Sequence, residues 1–507
     1  MKKNITAQAL IEELLHAKEL VKQNVLNPQL QIDVATNNSQ NTSAHSVFFA
    51  YQGVYADSHQ FLEKASGLLV LEDPSYISRL PKTSNWILVK SSRKSWSICC
   101  SLQHGNPEKR LKIIGVTGTN GKSSCVEIIY DLLDQHHIPV CSIGTLGVRM
   151  GDKYYATEHT TPDPPQLFDV FAKALKNGVE WIVMEVSSHS IVQQKIAPLQ
   201  FELYLFTSFS QDHLDFHNSM EEYFDAKCQP IFHQIKNTGK VVISSKVGNN
   251  ASLKKLEKTD YLLLRETECL SPGKVNAKIW TGKSGEIEYS LQQESDEPKS
   301  TLAGFGEAKL TTPFLAPYLN ENLALSICGL LSLNLIELEQ LKIYLPKIKQ
   351  IKGRFEVISK SPLIIIDYAH TPDALENLFD AAMSASNAPI ACVFGCGGNR
   401  DREKRAMMGS VSSKYCSTII LTDDNPRDEP SKKIADDILV GIANRDRVHV
   451  YLDRDKAIRF AILTYSSTHT VIIAGKGHEM YQERCGVKYP FSDQEHALKA
   501  INELKSH

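Results

Sequence analysis

Apolar residues recur along this chain in short solid runs, separated by stretches where they return every three or four positions. Solid runs predict strands buried on both faces; the wider spacing predicts helices that bury one stripe. Near the start, Leu10, Leu14 and Leu15 sit at helical spacing among charges and predict a surface helix, while 46–50 and 67–71 are short apolar runs. Runs at 112–116, 181–186, 203–207 and 241–243 predict four strands, with helices after the first and around 165–176. Residues 278–312 alternate apolar and polar positions with glycines, the pattern of an antiparallel β appendage, and 320–335 reads as a helix. Further on, runs at 363–367, 390–394, 418–422, 448–451 and 471–474 each lead through a polar or glycine-rich loop into a helix.

Alternation of this kind predicts doubly wound parallel sheets, which place ligands at the strand C-terminal ends. The turn-rich segment 105–110 and the segment 347–352, between Pro346 and Gly353, read as linkers. The expected fold class is α/β with three domains. These are a small N-terminal α/β binding domain (1–108), a central P-loop ATPase-like doubly wound domain (109–350) and a C-terminal Rossmann-like domain (351–507). A length of 507 residues fits about three domains.

The central domain opens on the sharpest chemical signal. An apolar run, Ile113-Ile114-Gly115-Val116, turns through Gly118-Thr119-Asn120-Gly121-Lys122-Ser123-Ser124 into a second apolar periodic stretch. A strand that turns through glycines into a helix presents backbone N–H groups and a positive dipole end to an anion. Lys122 adds a full charge, and Ser123 offers a hydroxyl to magnesium. The strict Walker spacing fails by one place, because Gly115 and Gly121 enclose five residues. The predicted ligand is still ATP or GTP; the alternative is an ordinary strand–turn–helix corner with a chance lysine.

Charge narrows the partners. Lysine plus arginine number 56 and aspartate plus glutamate 58, which gives no support for bulk nucleic-acid binding. No apolar run approaches the ~18 residues of a membrane span, and the basic start Met1-Lys2-Lys3 is followed by no signal-peptide core. The 11 cysteines show no metal-ligand spacing and read as reduced thiols of a cytosolic enzyme.

Further loops after predicted strands hold reactive residue types. They include Thr160-Thr161-Pro162-Asp163, Glu185-Val186-Ser187-Ser188-His189, Asp212-His213-Leu214-Asp215 and Asp225-Ala226-Lys227. Glu185 ends an apolar strand, where a carboxylate is costly without a cation; beside a triphosphate that cation would be magnesium. Taken singly, His213 reads as an ordinary loop histidine, Lys227 as a solvent-facing helix lysine, and Thr160 and Thr161 as a turn. In the last domain, 395–400 is a glycine-rich loop ending in Arg400, and Asp424-Asn425-Pro426-Arg427 sets a carboxylate beside a guanidinium. Such a pair suits the zwitterionic end of an amino acid. Gly475-Lys476-Gly477-His478-Glu479 adds another carboxylate.

Taken together and in order, Thr117-Gly118-Thr119-Asn120-Gly121-Lys122-Ser123, Thr160-Thr161-Pro162, the Glu185 and Asp212 loops, Asp367-Tyr368-Ala369-His370-Thr371-Pro372 and Asp424-Asn425-Pro426-Arg427 resemble the Mur ligases. The resemblance runs through nearly the whole chain and is nearest the branch that adds diaminopimelate. It implies an N-terminal domain for the UDP end of the substrate, a central domain for ATP and a C-terminal domain for the amino acid. The implied activity is an ATP-dependent amide ligase of peptidoglycan synthesis, joining meso-2,6-diaminopimelate to UDP-N-acetylmuramoyl-L-alanyl-D-glutamate through an acyl phosphate. It also implies a cytoplasmic monomer with no nucleic-acid or membrane partner.

Carried over residue by residue, Gly118, Thr119, Asn120, Gly121, Lys122, Ser123 and Ser124 would wrap the phosphates. Asn322 and Asp367 would contact adenosine. Ser123 and Glu185 would ligate one Mg2+; His213 and Lys227 a second, with Lys227 carbamoylated. Lys122, Glu185, His213 and Lys227 would form the catalytic set. Ser39, Thr160, Thr161, Ser187, Gln193 and Lys195 would contact the muramoyl peptide. Arg400, Asp424, Asn425, Pro426, Arg427, Gly475 and Glu479 would form the diaminopimelate pocket. Three positions depart from the family pattern. Asn38-Ser39-Gln40 stands where Asp-Ser-Arg is usual, Lys195 replaces an arginine, and Leu319 replaces a first asparagine. The rivals are an L-lysine-adding homologue, a folylpolyglutamate-synthetase-like ligase, and a regulatory nucleotide-binding protein without turnover.

Overall fold

The computed structural model describes residues 2–53, 56–214, 216–247, 262–265, 275–281, 286–293 and 308–506. It is a mixed α/β chain that divides into two compact units. The first comprises Met1–Thr117, Leu133–Leu205 and Asp225–Val241, the second Gly118–Leu132, Phe206–Phe224 and Val242–His507.

The first unit begins with the helix Ala7–His16, capped by the Thr6 hydroxyl, which accepts the Ala9 N–H at 3.1 Å. Leu10 and Leu14, four apart, are buried, whereas Leu15, one step round the helix, is 63% exposed. A five-stranded sheet follows, in the order Leu20–Asn24, Asn85–Val89, Leu68–Leu71, Ser46–Ala50, Val34–Thr36. Its last four strands are parallel and the first is antiparallel. The segment 105–110, expected as a linker, is packed instead. Its turn Pro107–Lys109 buries Pro107 and Glu108, and Ser101 donates its hydroxyl to the Glu108 carboxylate at 2.7 Å. Turn-forming composition reports backbone shape, not what covers it.

A second sheet starts in this unit, and seven of its strands run in the order Lys153–Tyr155, Gly147–Met150, Val140–Gly144, Trp181–Glu185, Lys112–Thr117, Phe201–Phe206, Ile235–Ser244. Trp181–Glu185 lies parallel to both Lys112–Thr117 and Val140–Gly144 and is buried along its whole length. Gly115 sits inside this sheet, where a Cβ would come 2.7 Å from the Phe201 ring. It is therefore a packing glycine and no part of the phosphate turn.

In the second unit, Leu262–Arg265 runs parallel to Val275–Thr281, which pairs antiparallel with Glu286–Gln293, and that strand in turn with Ala308–Thr311. The antiparallel pairs are those expected from the alternation at 278–312, of which 282–285 and 294–307 lie outside the described residues. The helix Pro317–Ser332 starts with proline at its first position. A six-stranded sheet then runs in the order Glu356–Lys360, Leu363–Asp367, Thr470–Ala474, Ile390–Phe394, Thr418–Leu421, Val448–Val450. All but the first strand are parallel. Leu363–Asp367, Thr470–Ala474, Ile390–Phe394 and Thr418–Leu421 are neighbours, so the loops after Asp367, Ala474, Phe394 and Leu421 emerge together at one sheet end.

Candidate functional site

In the second unit, the phosphate turn leads into the helix Lys122–Gln135. Gly118 has φ +146°, and a Cβ there would stand 1.9 Å from the Thr207 hydroxyl oxygen; Gly121 has φ +89°, and its Cβ would meet Asn322 Oδ1 at 2.5 Å. Only glycine fits either place. The N–H groups of Thr119 and Asn120 donate to Ser208 at 2.8 and 2.9 Å, which pins the first half of the turn. Amides of the first helical turn, which includes Lys122, Ser123 and Ser124, have no acceptor within a helix and are the ones that serve an anion. Lys122 Nζ donates to the carbonyls of Gly118 and Thr119 at 2.9 and 2.8 Å, so its charge sits over the turn.

One contact here was not foreseen. Arg354 donates from Nη2 to Ser123 Oγ at 3.0 Å, and its guanidinium lies 4.5 Å from the Tyr368 ring centroid. Asp367 holds the backbone that carries Arg354: its carboxylate accepts the N–H of Phe355 at 2.6 Å, the N–H of Ala369 at 2.7 Å and the Tyr318 hydroxyl at 3.0 Å. Burial raises the Asp367 pKa above the usual carboxylate value, against the lowering effects of Arg354 and these donors. Asp367 thus spends its oxygens on protein donors, while Asn322 packs against the turn at Gly121. The sequence signal for Arg354 was a lone arginine between Gly353 and Phe355 at the exit of the second linker.

Also in this unit, His213 has φ +55°, and its Nε2 lies 3.4 Å from the Asp212 carboxylate. Burial would raise the Asp212 pKa, but its interactions with His213, His370 and Lys404 and the backbone N–H of His213 outweigh it and hold the carboxyl below its ordinary value. Asp215 lies outside the described residues.

In the first unit, Glu185 ends its strand at 1% exposure. It accepts the Thr145 N–H at 2.7 Å and the Thr145 hydroxyl at 3.2 Å, and among the described residues it forms no ion pair. Thr145 also bonds Thr160 at 3.0 Å. Thr161 donates to the Glu185 carbonyl at 2.9 Å and lies 3.3 Å from the Ser187 hydroxyl, which caps the helix Ser188–Val192. Glu185, Thr160, Thr161 and Ser187 are therefore one hydrogen-bonded group, with Gln193 closing the helix that Ser187 opens. Lys195 pairs with Asp163 at 2.6 Å, so its charge serves the Thr160–Asp163 turn. Lys227 is buried at 1% exposure on the helix Met220–His233, contrary to its reading as a solvent-facing lysine. In the N-terminal sheet, Asn38 caps the turn Ser39–Asn41 by accepting the Gln40 N–H at 2.9 Å, a role open to Asn and Asp alike.

The loops of the six-stranded sheet form a dense group of charges. Gly475 has φ +109°, and a Cβ on it would come 2.7 Å from the Asp424 carboxylate. Asn425 donates to Glu479 at 2.9 Å, and Arg427 binds Glu483 through Nε at 3.2 Å and the Gly398 carbonyl through Nη1 at 2.8 Å. A Cβ on Gly398 would meet the Pro426 carbonyl at 1.9 Å, so loops 395–400 and 424–427 touch through backbone. Arg400 is exposed beside them. Two buried arginines tie the group down. Arg405 binds Glu429, Asp437 and the Gly397 carbonyl; Arg454 binds both oxygens of Asp493 and the carbonyls of Asp423 and Ala474. The structure thus brings Asp424, Asn425, Pro426, Arg427, Gly475 and Glu479 together.

Among the described residues no group of three or more His, Cys, Asp or Glu side chains is gathered as a metal cluster, and no helix is long and apolar enough to cross a membrane. The family model of the Mur ligase middle domain matches residues 116–329, and that of the Mur ligase, glutamate ligase domain, residues 353–477. A UDP-N-acetylmuramoyl-L-alanyl-D-glutamate–2,6-diaminopimelate ligase of Aquifex aeolicus is 37% identical, over 90% of this chain and 91% of that protein. The enzyme of that name from Coxiella burnetii is 34% identical, over 97% and 99%. A solved structure of a ligase of the same name matches with a TM-score of 0.63 at 25% identity, over 99% and 100% of the two chains. With relatives this similar along almost all of its length, the chain belongs to the Mur ligase family.

Proposed function

We propose that this ATP-dependent amide ligase adds meso-diaminopimelate to UDP-N-acetylmuramoyl-L-alanyl-D-glutamate, a step of peptidoglycan synthesis. The observation that carries the reading is the loop group around Asn425, Arg427 and Glu479, which offers fixed charges of both signs to a zwitterion. By function the chain divides at 1–108 for the UDP substrate, 109–350 for ATP and 351–507 for the amino acid.

The D-glutamate γ-carboxylate attacks the γ-phosphate of ATP, ADP leaves, and the diaminopimelate amine displaces phosphate from the acyl phosphate. Lys122 and the first-turn amides of its helix meet the charge that develops on the phosphates. Arg354, already on Ser123, lies within reach of the same charge. Its bond to Ser123 and the bond from Asn120 to Asp373 at 3.0 Å keep the C-terminal loops at the phosphate turn, where they exclude water from the acyl phosphate. Asn322 and Asp367 are assigned to adenosine. Ser39, Thr160, Thr161, Ser187, Gln193 and Lys195 are assigned to the muramoyl peptide.

Magnesium favours hard oxygen donors, and a buried carboxylate with only neutral donors, as Glu185 is, suits it. Ser123 and Glu185 are assigned to one magnesium and His213 and a carbamoylated Lys227 to a second, the carbamate turning a buried amine into an oxygen donor. Bound there, the two metals would spread the charge of the transferring phosphoryl group. The reading keeps the enzyme a cytoplasmic monomer; among the described residues no helix is long and apolar enough to cross a membrane.

Phosphate release is measured with ATP, the UDP-linked dipeptide and either meso-diaminopimelate or L-lysine. The reading expects turnover with diaminopimelate and little with lysine; equal rates would defeat it in favour of a lysine-adding ligase, and release with a folate and glutamate would favour the folate rival.

A further inference from the structure

Lys476 is an odd residue to find in a loop. Its side chain is fully buried, and its Nζ donates to Glu479 Oε2 at 2.7 Å and to Asn425 Oδ1 at 3.1 Å, with the Tyr481 ring centroid 5.5 Å away. Asn425 closes the triangle: its Nδ2 donates to the same Glu479 Oε2 at 2.9 Å, while its Oδ1 also accepts the Glu483 N–H at 2.9 Å. Two donors on Oδ1 fix which way the Asn425 amide faces, because the reverse orientation would set NH2 against an ammonium and an N–H. Glu479 Oε2 is thereby saturated by two donors. Glu479 Oε1 accepts no bond among the described residues, and the side chain keeps 16% of its surface exposed.

Burying an ammonium is costly unless it is paired and fully hydrogen-bonded. A lysine kept there to hold a loop together would serve no better than an apolar side chain of similar length. What a methionine could not do is turn one oxygen of Glu479 inward, fix the Asn425 amide and cancel one negative charge of the group. We infer that Lys476 is a positioning residue for the amino-acid substrate. It orients Glu479 so that Oε1 faces an incoming ammonium, and it sets the charge of the loop group to suit an end bearing both an ammonium and a carboxylate. This rests on the assignment of Asn425 and Glu479 to the diaminopimelate pocket.

The test is a double-mutant cycle on the full chain, with Lys476→Met, Glu479→Gln and the double variant assayed by phosphate release against varied meso-diaminopimelate and, separately, varied ATP. Lys476→Met is expected to raise KM for diaminopimelate about 10-fold while KM for ATP stays within about 2-fold. The double variant is expected to be no worse than Glu479→Gln alone, because one residue acts through the other. If Glu479→Gln leaves KM for diaminopimelate unchanged, the pocket assignment itself fails. If Glu479→Gln raises it but Lys476→Met does not, or the two effects simply multiply, the pocket stands and the role given to Lys476 is overturned. Where the methionine variant does not fold, Lys476→Gln keeps a neutral donor for Glu479 and is read against the same outcomes.

Discussion

On the proposed assignment, the phosphate turn and the loops given to the amino acid, both in the second unit, would solve recognition in opposite ways. Between Gly118 and Ser124 there is no acid, and Lys122 rests on two carbonyls. The amino-acid loops are laced by bonds between charges: Lys476 to Glu479, Arg427 to Glu483, Arg405 to Glu429 and Arg454 to Asp493. A triphosphate carries one sign of charge, so its cradle needs only donors, and backbone amides provide them without side-chain entropy. A zwitterion needs both signs, and opposite charges left free in one pocket would collapse onto each other. The buried arginines and Lys476 limit that by giving Glu429, Asp493 and Glu479 fixed partners. If this contrast holds, removing charge from the phosphate turn should cost chemistry, and removing it from the amino-acid loops should cost stability or amino-acid affinity.

The largest effect is expected at the turn. Lys122→Met should lower kcat by roughly 10³–10⁵-fold, in line with loss of a cation from a phosphoryl-transfer site, with the thermal midpoint little changed. A large fall in midpoint together with ordinary kcat would reverse the contrast. Next is Arg454→Met. Arg454 and Asp493 are both fully buried, and leaving Asp493 unpaired should cost about 3–5 kcal/mol in urea unfolding. Asp493→Asn should cost a similar amount, because the same pair is broken from the other side.

The contrast also explains how much could be read without a structure. The strands and the phosphate turn were legible because their signals are local: solid apolar runs, and glycines where φ must be positive. Gly115 was ambiguous, because its reason is the Phe201 ring, far along the chain. Asp424, Asn425 and Arg427 announced themselves as a cluster in four consecutive positions. Arg354 did not, since its partner Ser123 lies 231 positions away. Lys227 read as a surface lysine because helical spacing shows which face a residue shares, not whether another element covers that face. Lys476 stood in a recognised loop, yet its burial and two partners belong to tertiary packing alone.

A smaller effect, visible against pH, comes from Glu429. Hydrogen bonds from Arg405 are the main cause that holds its pKa down at about 2, against 4.5 for an ordinary glutamate. A carboxylate whose folded value lies below its unfolded value adds stability that is complete above about 4.5 and is lost as pH falls toward about 2. Glu429→Gln should therefore cost about 1.5–3 kcal/mol at neutral pH and flatten the acid limb of a stability–pH curve. An unchanged acid limb would mean that the Arg405 cluster does not brace these loops.

The smallest effect separates contact from charge at the point where the two regions meet. Asp373 lies in the first turn of the helix Pro372–Ala385 and accepts from the Asn120 side chain at 3.0 Å and the Ser210 hydroxyl at 3.3 Å. A carboxylate there also complements the positive end of its helix. Asp373→Ala removes both effects; Asp373→Asn keeps an acceptor for Asn120 and loses only the charge. Exposed hydrogen bonds of this kind are worth about 0.5–1.5 kcal/mol, so the alanine variant should raise KM for ATP by about 2- to 10-fold. The asparagine variant should keep KM for ATP near the parent value while its melting temperature drops with that of the alanine variant. If asparagine raises KM as much as alanine does, charge rather than contact governs the approach to the turn. The phosphate site would then depend on an acid after all, and the division between a donor-only cradle and a charge-laced pocket would no longer hold.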